Sequence, residues 1–283
     1  MVLRSLLFVP GTSPDRFSKA LVSGADAILI DLEDAVDGPR KAEARGSVAA
    51  WLNTTTASRT ARFVRVNAPG TAFQDADLRW LPEVAGHIEG VVVPKVETAN
   101  DIEHVAHVAP HRRVLPMFET ARAILDAGAI VRADADMPAL IFGAEDLTAQ
   151  LGIPRTVAGE ELILARSQVV LAAAAIGADA IDAVFVDLAA SDAFRQDCAR
   201  AHAVGFRGKT AIHPNQVAVI NEVFSPTAED VARARRLIEA DTAARAAGQG
   251  AFRFENRMVD QPIVTRARRI VELAEAVARR PGL

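Results

Sequence analysis

Tyrosine is absent from the 283 residues, and cysteine occurs once, at Cys198. Without a phenol, no tyrosine can serve as acid or base. A single thiol gives neither a disulfide framework nor a cysteine-rich zinc site. No apolar run approaches the roughly 20 residues that cross a bilayer. The opening MVLRSLLFVPG has too short an apolar core for a signal peptide and reads as a strand. There is no block of like charge either: 32 Lys and Arg stand against 36 Asp and Glu, a formal charge of −4. The basic residues are scattered, often at helical spacing with acids, as on a solvated face. These absences argue against nucleic acid or membrane as partners, and point to a cytoplasmic protein acting on a small molecule. No G-x-G-x-x-G follows any strand-like run, which disfavours a dinucleotide-binding open sheet. No internal repeat is evident, and residues 53–61 (NTTTASRTA) are the one low-complexity stretch, read as a loop.

Half of the residues are hydrophobic, and they fall in a regular alternation. Apolar strand-like runs cover 5–10, 27–33, 62–67, 90–96, 114–119, 139–146, 180–185 and 209–213. Segments with apolar residues three and four apart lie between or after them, at 14–23, 39–52, 99–108, 121–132, 160–176, 192–204 and, longest, 228–248. Strands that are apolar throughout belong to a parallel sheet buried on both faces. Eight alternations without a compositional break predict an α/β fold, a single (β/α)8 TIM barrel over 1–225, with a C-terminal helix and extension over 226–283.

Active sites of such barrels gather at the carboxyl ends of the strands. Those ends carry Pro10-Gly11, Glu33-Asp34, Arg65 with Asn67, Lys95, Glu119, Asp146, Asp182 with Asp187, and His213. Polar ends on apolar strand bodies are hard to explain by packing alone. Glu119 and Asp146 close the two strand runs that flank the 121–132 segment, and so lie on the same edge. Two hard oxygen ligands, with no His or Cys nearby, suit Mg²⁺ completed by substrate and water. The competing reading is that both cap helices or pair with arginines. Glu145 adds a neighbouring carboxylate, and the sequence leaves open which of the two would bind.

Several motifs together resemble the citrate lyase β-subunit-like (CitE-like) branch of the HpcH/HpaI aldolase and malyl-CoA lyase superfamily. They are Arg4-Ser5-Leu6-Leu7-Phe8-Val9-Pro10-Gly11, Asp31-Leu32-Glu33-Asp34-Ala35-Val36, Lys41 with Ala44-Arg45, and Arg65-Val66-Asn67. Val93-Pro94-Lys95-Val96-Glu97, Phe118-Glu119-Thr120, Gly143-Ala144-Glu145-Asp146-Leu147, the stretch 205–214 (GFRGKTAIHP) and Met258-Val259-Asp260-Gln261-Pro262 continue the series. The resemblance implies a (β/α)8 barrel, a homotrimer or dimer of trimers, and Mg²⁺ on Glu119 and Asp146. It implies reversible cleavage of a 3-hydroxyacyl-CoA or acyl-carrier thioester (malyl, citramalyl or citryl) into a 2-oxo acid and an acetyl-type thioester, with Arg65 on the substrate oxygens. It further implies that the C-terminal segment packs at a subunit interface and delivers Asp260 to a neighbour's site as an acid.

The remaining candidates each carry two readings. Arg65 either pairs with Glu33 or Asp34 or stabilises a developing oxyanion with its planar fork, and both can hold at once. Asp31 and Glu33 share one strand face, with Asp34 in the turn, and are expected to position Arg65 more than to transfer protons. Lys95 is the best Schiff-base candidate, but a metal pair makes that chemistry redundant and contact with carboxylates fits better. Lys209 begins its strand and is expected on the far side of the barrel. His213, held extended by Pro214, is either a base or a structural hydrogen bonder. Pro10-Gly11-Thr12 with Arg16, Phe17 and Lys19 is either a site for the phosphates of CoA or a solvated helix start with Ser13 as N-cap. Alternatives for the whole chain are a class II pyruvate aldolase on 4-hydroxy-2-oxo acids, hydrolysis of the thioester after cleavage, and a non-catalytic assembly subunit of a citrate-lyase-like complex.

Overall fold

The computed structural model describes residues 1–55 and 58–279. From the N-terminus the chain runs β1 (Ser5–Pro10), α1 (Pro14–Leu21), β2 (Ala27–Asp31), α2 (Lys41–Thr54), β3 (Ala61–Arg65), α3 (Ala72–Val84), β4 (Gly90–Val93) and α4 (Ala99–Val108). It continues through β5 (Arg113–Phe118), α5 (Ala121–Leu125), α6 (Ala127–Ile130), β6 (Ala139–Phe142), α7 (Ala144–Leu151), α8 (Ile163–Ala175), β7 (Asp179–Asp182), α9 (Ser191–Val204), β8 (Gly208–Ala211) and α10 (Pro214–Val223). The eight strands close in sequence order, all parallel, and β1 pairs with β8 through Ser5↔Lys209, Leu6↔Thr210 and Leu7↔Ala211. Alternate side chains point to opposite faces. Leu6, Leu29, Phe63, Val92, Leu115, Ile141 and Ile181 fill the interior, while Leu7, Ile28, Val64, Val91, Val114 and Leu140 meet the helices. Both faces are therefore buried, which is why the strands show no polar alternation.

Two compact units are distinguished: Leu3–Phe224 carries the barrel, and residues from Ser225 onward, with Met1–Val2, form the second. The second unit contains α11 (Ala228–Ala246), β9 (Phe252–Phe254), β10 (Arg257–Val259) and α12 (Gln261–Ala278). A Thr227/Asp230 capping box starts α11. Glu255 and Asn256 turn the antiparallel hairpin with both φ positive, 44° and 63°, as a two-residue loop between right-twisted strands requires. Ala234, Leu237, Val259, Val264 and Ala267 form this unit's core.

The element boundaries correct several sequence expectations. Most strands end two to four residues earlier than their apolar runs. Asp146 lies in the first turn of α7, not on a strand, because Gly143 caps a helix within the run 139–146. The expected helix 121–132 breaks at Asp126 into α5 and α6. The helix after β8 is α10, begun by Pro214 at its first turn, so α11 is not the barrel's eighth. Part of the loop expected at 53–61 lies outside the described residues.

Asp182, expected among the polar strand ends, pairs instead with Lys209, which stands at the start of β8 and lies outside the cleft. Both point outward from neighbouring strands into the helix layer and are fully buried. Lys209 Nζ lies 2.5 Å from Asp182 Oδ2 and 2.7 Å from Asp197 Oδ2 of α9. Arg166 of α8 binds Asp182 through two hydrogen bonds of 2.9 Å and Asp197 at 3.0 Å. Two cations against two carboxylates give a neutral, hydrogen-bonded cluster, the form in which charge survives burial. Asp182 is therefore a structural ion and not a cleft residue.

Candidate active site

A cleft of about 790 Å³ opens at the carboxyl ends of the strands. Its charged side begins with Asp31 and Arg65, partners across the β2–β3 ladder whose inward side chains are neighbours by register. Arg65 donates from Nε to Asp31 Oδ1 at 2.8 Å and from Nη2 to Asp31 Oδ2 at 2.7 Å. Its Nη1 lies 2.7 Å from Glu33 Oε2, off the hydrogen-bonding direction, and its guanidinium sits 4.9 Å over the Phe8 ring. Burial opposes ionisation of Asp31, but Arg65 and the backbone N–H groups of Glu33 and Ala35 outweigh it and lower its pKa. Burial raises that of Glu33, with Arg65 and Lys95 pulling the other way. Lys41 fixes the turn from behind, its Nζ donating to the carbonyls of Leu32 and Glu33 at 2.9 Å each.

Lys95 follows β4 with φ of +49°, a left-handed conformation that costs a non-glycine residue energy and marks functional geometry. That twist aims its N–H at Glu119 Oε1, 2.8 Å away, and its ammonium onto Glu33, with Asp34 at 3.3 Å and Asp146 at 3.6 Å. Desolvation lowers the pKa of Lys95, but the carboxylates raise it further, so the amine stays charged. A charged amine cannot add to a carbonyl, which disfavours the Schiff-base alternative.

Glu119 stands just past β5 with 2% of its surface exposed. Burial pushes its pKa up to about 8, Arg65 opposes this, and Asp146 and Glu33 reinforce it. Among the described residues, no cationic side chain forms an ion pair with it. Its carboxylate occupies the space where any side chain at Gly143 would begin, so residue 143 must be glycine for Glu119 to lie there. Glu145 is tied to Arg155 by an ion pair. Glu145 and Asp146 both line the cleft beside Glu119, Asp146 with Lys95 Nζ at 3.6 Å.

Five carboxylates (Asp31, Glu33, Asp34, Glu119 and Asp146) thus face three cations, Arg65, Lys95 and Lys41. Among the described residues no cluster of three or more His, Cys, Asp or Glu forms a complete metal cage. A two-carboxylate site suits Mg²⁺, which keeps several waters and takes its other ligands from substrate. The residues present fit that ion.

His213 lines the cleft as the N-cap of α10, where Nδ1 accepts the Asn215 N–H at 3.2 Å. Pro10, Arg16 and Lys19 also line it, whereas Phe17 is buried against Trp51. Ser13 occupies the N-cap of α1 without a side-chain hydrogen bond. Asn67 is held away by Asp77 at 2.7 Å, and Asp187 lies in an exposed turn. Asp260 precedes α12 in the second unit and makes no side-chain capping bond. Lys41 is the functional support that residue-level reading missed: its burial depends on the turn closing over it, and no local pattern announces that.

The family sequence model described as HpcH/HpaI aldolase/citrate lyase matches residues 4–214, and one described as C-C bond lyase of the TIM-barrel fold matches residues 164–278. The citrate lyase subunit beta-like protein of Deinococcus radiodurans is 41% identical over 279 residues, covering 95% of this chain and 96% of the relative. The mitochondrial citramalyl-CoA lyase of Rattus norvegicus is 31% identical over 97% of this chain and 86% of its own. The crystal structure of protein CitE from Mycobacterium tuberculosis, in complex with magnesium, acetoacetate and coenzyme A, superposes with a TM-score of 0.81. It shares 35% identity, covering 97% of this chain and 98% of the other. No helix among the described residues is long and apolar enough to cross a membrane.

Proposed function

The chain belongs to the HpcH/HpaI aldolase/citrate lyase family, and from that premise we propose that it is a Mg²⁺-dependent carbon–carbon lyase. It cleaves, or in reverse forms, a 3-hydroxyacyl-CoA or acyl-carrier thioester, giving a 2-oxo acid and an acetyl-type thioester. The observation that carries this reading is Glu119: a buried, cleft-facing carboxylate with no cationic side chain paired to it among the described residues and a pKa near 8.

Glu119 and Asp146 would hold the ion, which when bound supplies Lewis-acid stabilisation of the C2 oxygen and adjacent carboxylate of the departing oxo acid. Arg65 keeps its plane fixed on Asp31 and turns its remaining N–H donors toward the carbinol oxygen as that oxygen gains negative charge. Glu33 and Asp34 hold Arg65 and Lys95 in place; we assign them to positioning more than to proton transfer. The carbinol proton leaves to a base, the C–C bonding pair passes to the thioester carbon as an enolate, and an acid returns a proton to that carbon. We assign that acid to Asp260 of a neighbouring subunit, in a homotrimer or dimer of trimers whose interface includes residues 226–283. Arg16 and Lys19, on the rim beside Pro10, suit the phosphates of CoA. The buried thiol of Cys198, its pKa raised to about 12 by burial, is kept inert and suits a reducing, cytoplasmic setting.

The test is calorimetric titration of metal-stripped protein with Mg²⁺, with and without pyruvate or oxaloacetate. The oxo acid is expected to bind only with Mg²⁺, and Glu119→Ala and Asp146→Ala are each expected to abolish that binding. Equal binding without metal, trapped by borohydride on Lys95, would overturn the reading. For Asp260, Asp260→Asn should lower kcat with assembly unchanged; full turnover by an intact oligomer removes its assignment.

A further inference from the structure

The mouth of the barrel is divided. The arc from β2 to β5, with the first turn of α7, carries every carboxylate of the charged cluster together with Arg65 and Lys95. The opposite arc, formed by the ends of β7, β8 and β1, presents Ala183, Val184, Ile212, Phe8 and Pro10 to the same cleft. Ala183 is fully buried and Ile212 half-exposed at the rim, so this arc grades from a dry floor to an apolar lip. The Thr210 hydroxyl in it is already committed to the Asp182 carbonyl at 3.0 Å. His213 adds one imidazole with its Nδ1 engaged by backbone. Among the described residues of the barrel unit, no Arg or Lys from these three strand ends reaches the cleft; Arg16 and Lys19 line it from α1, exposed at the rim, where they are assigned above to the phosphates of CoA.

A 3-hydroxyacyl thioester bearing a carboxylate on its carbinol carbon has one further substituent there, and that group decides which oxo acid is released. With the carboxylate and hydroxyl oxygens directed to the charged arc and the thioester arm to the Arg16 and Lys19 rim, the remaining substituent faces the apolar arc. A hydrogen or a short alkyl group is at home on Ala183 and Ile212. A carboxymethyl group would bring a second anion against the apolar carbon of Ala183 and Ile212, where the only nearby cations are the rim residues Arg16 and Lys19 that the CoA phosphates would engage, and a charge without a partner is strongly disfavoured in such a place. Arg65 cannot turn to meet it without releasing Asp31 and Glu33.

We propose that this chain is specific for thioesters that release a 2-oxo monocarboxylic acid, that it discriminates against those releasing a 2-oxo dicarboxylic acid, and that Ala183 and Ile212 set the preference. This rests on the lyase reading above and narrows it. The first measurement compares kcat/KM for citramalyl-CoA, whose substituent is methyl, with citryl-CoA, whose substituent is carboxymethyl, at saturating Mg²⁺. Citramalyl-CoA is expected to be favoured by about a hundredfold or more, and Ile212→Arg is expected to narrow that ratio at least tenfold by raising the citryl value. Equal use of the two thioesters by the unaltered protein, within tenfold, overturns the specificity and leaves the lyase reading standing. Should neither these thioesters nor the malyl thioester, on CoA or on an acyl carrier, be cleaved, the lyase reading fails separately. The preference is then read from Mg²⁺-dependent binding of the free acids: pyruvate tighter than oxaloacetate supports it, and the reverse order overturns it.

Discussion

Glu119→Gln should make the metal-free protein more stable while removing its response to Mg²⁺. In the folded chain the Glu119 carboxyl has a pKa of about 8, against 4.5 for an unperturbed glutamate. The folded state therefore binds this proton more tightly than the unfolded state. Between those two values the folded form carries more protons, so stability falls as pH rises through the window and levels off above about 8. Each pKa unit corresponds to about 1.4 kcal/mol, so at pH 8 the ionised side chain costs the metal-free fold roughly 3–5 kcal/mol. Glutamine keeps the shape and the acceptor for the Lys95 N–H but has no charge to desolvate. Urea denaturation of chelator-treated protein from pH 5 to 9 should show the variant ahead by a few kcal/mol at pH 8, with the gap closing toward pH 5. Thermal melts should show a gain of roughly 5–10 °C at pH 8. Added Mg²⁺ should then raise the Tm of the parent and leave the variant unmoved. A variant less stable than the parent at every pH, or one that Mg²⁺ still stabilises, would refute the claim that Glu119 is a desolvated carboxylate awaiting a cation.

Three further outcomes follow from the same geometry. Because Glu119 must lose its proton to accept a metal, Mg²⁺ affinity should rise about tenfold per pH unit up to pH 8. Binding at pH 7 should release about 0.9 proton, measurable by calorimetry in buffers of different ionisation heat. Gly143→Ala places a methyl group in the space of the Glu119 carboxylate; Mg²⁺ affinity should drop at least tenfold while circular dichroism stays that of the folded barrel, and unchanged affinity would contradict the packing. Arg166→Met leaves the buried Asp182 with Lys209 alone and Asp197 with Lys209 and the more distant Arg200 at 3.7 Å. It should destabilise the fold by about 3–5 kcal/mol in urea without altering the pH dependence of Mg²⁺ binding.

The barrel was legible because eight apolar runs, all without polar alternation, admit few arrangements other than a sheet covered on both faces. Glu119, Asp146 and Arg65 were legible because ionisable groups ended those runs. What the sequence concealed was direction. Asp182 and Arg65 both end strands, yet register points Arg65 into the cleft and Asp182 into the helix layer, and a one-residue difference in strand phase would exchange them. Lys209 was placed away from the cleft because it begins its strand, and what stayed hidden was its burial among ions; its partners, Asp182 and Asp197, lie 27 and 12 residues away. Gly143 looked like part of a strand because nothing in the run 139–146 marks the first helical turn. The left-handed twist of Lys95 follows no local rule at all; it is imposed by the carboxylates that its amide and ammonium both reach.

The pairing of β1 with β8 also sets when the molecule can exist. The edge of Ser5–Pro10 that faces β8 finds its partner only in Lys209, Thr210 and Ala211, and these are synthesised about 200 residues later. At 5–20 residues per second a nascent chain carries that unpaired edge for roughly 10–40 s. Throughout that interval Leu6–Val9 offers free backbone donors and acceptors on an apolar strand, the kind of edge on which chains join one another. Ring closure therefore waits until β8 has been made. A chain stalled or truncated before β8 cannot hide its first strand, however well its earlier strands and helices have formed.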